Sequence, residues 1–174
     1  MTSGQVPPGQ RGAGQHAAGN AEAAAVLGAC RVLVAVSAQS IAAVGDVADL
    51  TQVRALVIVA SRGSVSLGEL ATAANIHLTR ASRLCDRLVA KGLINRADDP
   101  ADRRQLILTL TPTGGRVVDT VMKRRRQVIE PMLARMRRQM TGHRRAELVS
   151  LLQDFAAAGG EPSDPDLWAM GWTT

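Results

Sequence analysis

The chain has 174 residues, 46% of them hydrophobic, enough apolar mass for a core, which excludes a wholly disordered polypeptide. Aromatics make up 2%, with no Tyr and one Phe, so the core has to be built from Leu, Val, Ile, Ala and Met. A net charge of +6 favours a polyanionic partner, while two cysteines, Cys30 and Cys85, are too few for a disulfide framework and lack the CxxC spacing of zinc sites.

Residues 1–20 are rich in Gly, Pro and Gln and almost free of large apolar side chains, so a disordered tail is expected there. No basic segment followed by an apolar run marks a secretory signal, and a cytoplasmic protein is expected. Residues 21–48 read as an N-terminal dimerisation helix, because the stretch 21–44 is apolar nearly all the way round and needs cover on several sides. A second copy supplies that cover economically; a tightly buried core helix is the alternative. Gly45 suits its C-cap. The uncharged run from Val32 to Gly45 is 14 residues, too short for a bilayer, so no membrane partner is expected. Both cysteines lie in apolar helical stretches, where a small buried thiol is the ordinary reading.

Residues 49–111 carry the clearest local signals. A helix over 50–61 is capped by Asp49 or Thr51, with Gly63 past its end. Ser66 opens the next helix as a capping box with Glu69, with Leu67, Leu70, Ala71 and Ala74 on the buried side and Asn75 at the turn. The following helix runs from Leu78 or Thr79 to Lys91 and stops at Gly92. Segments 93–97 and 105–110 read as two strands of a hairpin, joined by the turn chemistry of DDPADRR. Thr111-Pro112 then starts a long helix, which should kink at Pro131 near its end around Met140. Thr141 opens the last helix, so that 112–158 forms C-terminal dimerisation helices. A tail, 159–174, carries Trp168 and Trp172 and is expected to dock on something, the partner subunit being one choice and a floppy tail the other.

Projected at about 100° per residue, Ala81, Leu84, Cys85 and Leu88 share the inward face of the helix after Asn75. The outward face carries Thr79, Arg83 and Asp86, flanked by Ser82, Arg80 and Arg87. Guanidinium forks match guanine edges, and hydroxyls serve bases or phosphates, so this face suits a major groove. Asp86 would be repelled by phosphate and is expected to clamp Arg83 or Arg87. At the hairpin tip, Arg103 and Arg104 sit on a thin projection suited to a narrow minor groove, with Asp102 bracing the wing through an Arg. Ten basic residues against two acids lie between Arg116 and Arg145; most read as solvated faces, with Arg116 and Lys123 to Arg126 the better candidates for steering DNA.

The motifs RLCDRLVAKGLINR and DPADRRQLILTLTPTG, with the helices that flank them, resemble the MarR family of bacterial transcription regulators over about 21–158. The resemblance implies a mainly α fold with a small β-hairpin wing: a winged helix-turn-helix between N- and C-terminal dimerisation helices. It implies a homodimer on a pseudo-palindromic operator of double-stranded DNA. Thr79, Arg80, Ser82 and Arg83 would enter the major groove and Arg104 the minor groove. It also implies a small aromatic or anionic effector in a cleft between DNA lobe and dimerisation helices, with repression the usual sign of control. One branch of the family senses peroxide through a first-helix Cys activated by tyrosines; Cys30 is so placed, but the chain has no Tyr. No cofactor is expected, and scattered His16, His77 and His143 argue against a metal. An enzyme is not expected either, since no catalytic pairing or glycine-rich phosphate loop appears. A winged helix repurposed to bind protein is the rival reading, which the five arginines Arg80, Arg83, Arg87, Arg103 and Arg104 oppose.

Overall fold

The computed structural model describes residues 9–99 and 106–161, with side chains from residue 19. The order is α1 (Gly9–Ala42), a 3₁₀ turn (Gly45–Val47), α2 (Leu50–Arg62), β1 (Ser64–Ser66), α3 (Leu67–Ala74), α4 (Leu78–Ala90), β2 (Ile94–Asp98), β3 (Leu106–Leu110), α5 (Pro112–Arg137) and α6 (Gly142–Ala158). The fold is therefore mainly helical with a small antiparallel sheet, as expected. It divides into two compact units, Met1–Ser37 and Ala38–Thr174.

The first unit holds most of α1. That helix starts at Gly9, well before the expected boundary near residue 21, so 9–20 are helical rather than a disordered tail. No proline follows Pro8 to break the helix in this stretch, and with the nucleus supplied by the apolar segment it extends despite its four glycines. Val26, Leu27, Val32, Leu33 and Val34 are exposed. Cys30 is exposed too, correcting the expectation of a buried thiol: residues 19–35 of this apolar helix are exposed all the way round, apart from half-buried Gly28. The uncharged run Val32–Gly45, expected to be too short for a bilayer, lies mostly within a longer apolar helix. Counted through Glu22 and Arg31, Gly19–Ala42 is 24 residues with mean hydropathy 1.7, long and apolar enough to cross a membrane by length and composition.

The second unit is built on caps that the local sequence dictates. Asp49 and Gln52 form a reciprocal capping box at the start of α2, and Ser66 and Glu69 do the same for α3. Gly63 at φ 71° ends α2, and Asn75 at φ 53° closes α3 in the left-handed region that Asn tolerates. Gly45, at φ 56°, opens the 3₁₀ turn instead of capping α1, which ends at Ala42. Thr111 caps α5, Pro112 takes its first position, and the helix runs through Pro131 as one element.

The expected two-stranded hairpin is a three-stranded sheet in the order β1-β3-β2. Val65 pairs with Leu108 on one side of β3, and Arg96 pairs with Leu108 on the other. The extra strand is only Ser-Val-Ser, too short for alternation to show, and it exists because β3 offers it a free edge. Leu56, Leu70, Leu84, Leu88, Leu93, Ile94 and Leu108 are fully buried in one aliphatic core with Val53, Val59, Val117, Val118 and Val121. Each such side chain contributes on the order of 1.5–3 kcal/mol of burial. On α3, Leu70 and Ala71 are buried as expected, while Leu67 and Ala74 are half-buried.

Candidate nucleic-acid interface

The helix-turn-helix is α3, the turn around Asn75 to His77, and α4. Ala81, Leu84, Cys85 and Leu88 are all buried, so the rotation of α4 about its axis is fixed by four side chains at helical spacing. Burial pushes the Cys85 thiol up to about 11, and so leaves it an inert packing group. With that face inward, Thr79, Arg80, Arg83, Asp86 and Arg87 are exposed and Ser82 is half-buried. Among the described residues no acid pairs with Arg80, Arg83 or Arg87, so their forks remain available.

Asp86 does not clamp Arg83 or Arg87. Its Oδ1 lies 3.4 Å from Nη1 of Arg96 on β2. Arg83 and Arg87 stand three residues before and one after Asp86 on the same helix, whereas β2 brings Arg96 up alongside and closer. The exposed pair links α4 to the sheet more by geometry than by energy. Arg96 is a functional candidate that the sequence reading passed over, since nothing in its local pattern distinguishes it from a solvated strand cation.

Two more residues were passed over. His77 is the N-cap of α4: its Nδ1 accepts the backbone N–H of Thr79 at 3.3 Å, which places His77 in the turn rather than in any metal cluster. Lys91, the C-cap, donates to the carbonyls of Val47 at 2.8 Å and Asp46 at 3.4 Å and to Gln52 Oε1 at 3.1 Å. An open cavity of about 590 Å³ lies along α3 and the turn, lined by Thr72, Asn75, Ile76 and Leu78 among others.

The wing rises from β2 and β3, whose ladder runs from Ile94↔Leu110 to Asp98↔Leu106. Its tip, with Pro100, Asp102, Arg103 and Arg104, lies outside the described residues, as do Trp168 and Trp172. At the wing base, Thr111 Oγ1 donates to the Gly92 carbonyl at 2.7 Å, and the Thr111 N–H donates to the Leu93 carbonyl at 3.1 Å. These bonds tie the start of α5 to the turn between α4 and β2.

The basic run of α5 and α6 is less available than its composition suggests. Arg125 is half-buried and donates through Nε to the buried Ser40 at 3.2 Å, and its pKa is lowered by that burial. Arg116 bonds Thr113, Arg137 pairs with Glu130, and Arg145 bonds the Arg137 carbonyl. Arg125 therefore leaves the set of steering candidates. Among the described residues no three His, Cys, Asp or Glu side chains come together as a metal site requires.

An α3-turn-α4 unit backed by a three-stranded sheet, with a β2–β3 wing, defines a winged helix-turn-helix. The family model described as MarR family matches residues 49–106. The structure of RV1404 from Mycobacterium tuberculosis is 40% identical, covers 83% of this chain and 95% of that one, and superposes with a TM-score of 0.67. The multiple antibiotic resistance protein MarR of Salmonella typhimurium is 31% identical over 74 residues, 42% of this chain and 51% of that protein. The transcriptional repressor CouR, solved bound to a 23-mer DNA duplex, is 25% identical with a TM-score of 0.55, covering 74% of this chain and 89% of that one. The chain spans about half the length of the curated relatives it matches. It belongs to the MarR family.

Proposed function

We propose that the chain is a sequence-specific DNA-binding transcriptional regulator that works in the cytoplasm as a homodimer. The outward face of α4 carries this reading. Four buried residues hold the helix in one rotation, and Thr79, Arg80, Arg83 and Arg87 are left exposed, with no acid among the described residues against the arginines. Those groups suit base edges and phosphates of a major groove. The wing, with Arg103 and Arg104 at its tip and Asp102 as brace, is assigned to the flanking minor groove by family resemblance and by charge. A similar repressor has been solved on a DNA duplex, which favours repression as the sign of control.

Two copies are proposed because apolar side chains stand uncovered on each terminal element, Leu27, Leu33 and Val34 on α1 and Leu151, Leu152 and Phe155 on α6. A second copy covers such surfaces at no cost in solubility, and a pseudo-palindromic operator follows from its two-fold symmetry. A membrane-bound α1 is the competing occupant of the first surface; partition of the full chain into the soluble fraction after lysis decides for the dimer. A small aromatic or anionic effector is proposed to release the DNA, with half-buried Arg125 as the cation that would meet it.

Selection and sequencing of DNA bound by the purified protein tests the reading. Half-sites whose centres lie about one helical turn, roughly 10 base pairs, apart are expected. On the recovered DNA, Arg83→Ala should cost about 1–3 kcal/mol and relax one base step, and Arg104→Ala should blunt A·T preference at the flanks. Recovery of no preferred sequence, or affinity indifferent to salt, refutes it.

A further inference from the structure

We infer that Lys91 is a positioning residue for base reading: its ammonium ties the C-terminal end of α4 to the turn between α1 and α2. The inference rests on the reading role proposed for α4. An ammonium has three N–H donors and no acceptor, and here each donor has a target. The targets are the carbonyls of Val47 at 2.8 Å and Asp46 at 3.4 Å, and Oε1 of Gln52 at 3.1 Å. The first two belong to the end of the 3₁₀ turn, where carbonyls lack partners and a cation is favoured. Gln52 is itself buried and shares that oxygen with the Asp49 N–H, so the third anchor cannot swing away cheaply.

The two ends of α4 are held differently. At the C-terminal end, Lys91 reaches the α1–α2 turn, while Thr111 of the α5 cap bonds the carbonyls of Gly92 and Leu93. At the other end, the cap is local, His77 to Thr79. The groups proposed to read bases, Thr79 to Arg83, lie on that locally held end. From Lys91 back to Thr79 is about 18 Å at 1.5 Å per residue, so a tilt of about 5° moves the reading end by about 1.6 Å. That displacement exceeds the roughly 0.5 Å range of good N–H···O distances. Phosphate attraction tolerates it, because it depends on charge and not on register. Losing the tether should therefore damage specific binding and spare non-specific binding, a split that simple loss of folded protein does not produce.

The test compares Lys91→Met and Lys91→Arg with the wild type, well below the thermal midpoint, on the DNA recovered by selection and on a scrambled duplex. Lys91→Met should keep non-specific affinity within about twofold and lower the specific-to-non-specific ratio by about tenfold. Lys91→Arg, which keeps charge and donors, should hold the ratio within about threefold. An unchanged ratio in Lys91→Met overturns the inference, and so does an equal fall in both variants accompanied by an equal fall in thermal midpoint. Should the Met variant not fold, Lys91→Gln, whose amide is too short to reach the carbonyls, is held to the same criterion. A wild type that selects no DNA refutes the proposed function, not the tether. The tether is then decided by amide hydrogen exchange: faster exchange at Val47 and Gln52 in the variant supports it, and unchanged exchange overturns it.

Discussion

Gly114 shows how tightly one residue can set the position of a helix. A Cβ there would lie 2.0 Å from the carbonyl oxygen of Leu93 and 3.3 Å from Leu110 Cδ2. The same carbonyl accepts the Thr111 N–H, so a methyl group has to push α5 away from the wing base and strain that bond. Gly114→Ala should destabilise the protein by about 1–3 kcal/mol through overpacking, read as a lowered denaturant midpoint. Gly115→Ala, where added carbon meets open space, is the control, and should stabilise by about 0.5–1 kcal/mol through helix propensity. Glu69 gives the pH-dependent counterpart. The Ser66 backbone N–H at 2.7 Å, then the Ser66 hydroxyl, hold its carboxyl below the usual carboxylate value. A depressed folded value means the contribution is present above the ordinary Glu pKa and is lost as pH falls through the folded one. Glu69→Gln keeps the box without the titration, so its denaturant midpoint should fall less steeply on acidification than that of the wild type.

At the scale of elements, α4 is defined by what holds it as much as by what it presents. Asp86→Asn removes a negative charge from the proposed DNA face and releases Arg96. Stability should change by less than about 1 kcal/mol, because the pair is exposed, while affinity for random duplex rises and discrimination falls. Fluorescence anisotropy on selected and scrambled duplexes measures both. The inward stripe of α4 and the caps at Ser66 and Thr111 were legible in the sequence because each is a relation between residues one to seven apart. Arg96 with Asp86, and Lys91 with Val47, were not, because those partners meet only after α4 has folded against the sheet and against the turn before α2. The strand Ser64–Ser66 escaped for the same reason, its evidence lying in β3 rather than in itself. The start of α1 was misplaced because the four glycines between 9 and 19 argue against a helix, at about 1 kcal/mol each, while the absence of proline after Pro8 leaves one sterically open.

For the whole molecule, the uncovered apolar residues are the outstanding feature, and burying them in a second copy is the proposal most open to direct measurement. Phe155 and Leu152 are each 58% exposed on α6, so a charge at either should cost the protomer little and a dimer a great deal. Leu152→Glu should shift the protein from two chains to one in light scattering, with its helical content retained. Specific DNA affinity should fall with it, since a single lobe contacts one half-site. A Leu152→Glu variant that remains a dimer moves the interface away from α6.

The central place of β3 has a bearing on how such a protein diversifies. β3 is held in register from both sides, by β1 through Val65 and by β2 through five consecutive pairs. Leu108 is therefore held in the core by pairing on both edges of its strand, within the described residues. Doubling a connection costs only about 0.6 kcal/mol in closure entropy. A longer or differently charged connection between β2 and β3 should therefore leave the denaturant midpoint within about 1 kcal/mol of the wild type. If the proposed minor-groove role of the wing holds, such changes should alter operator preference while the fold is kept.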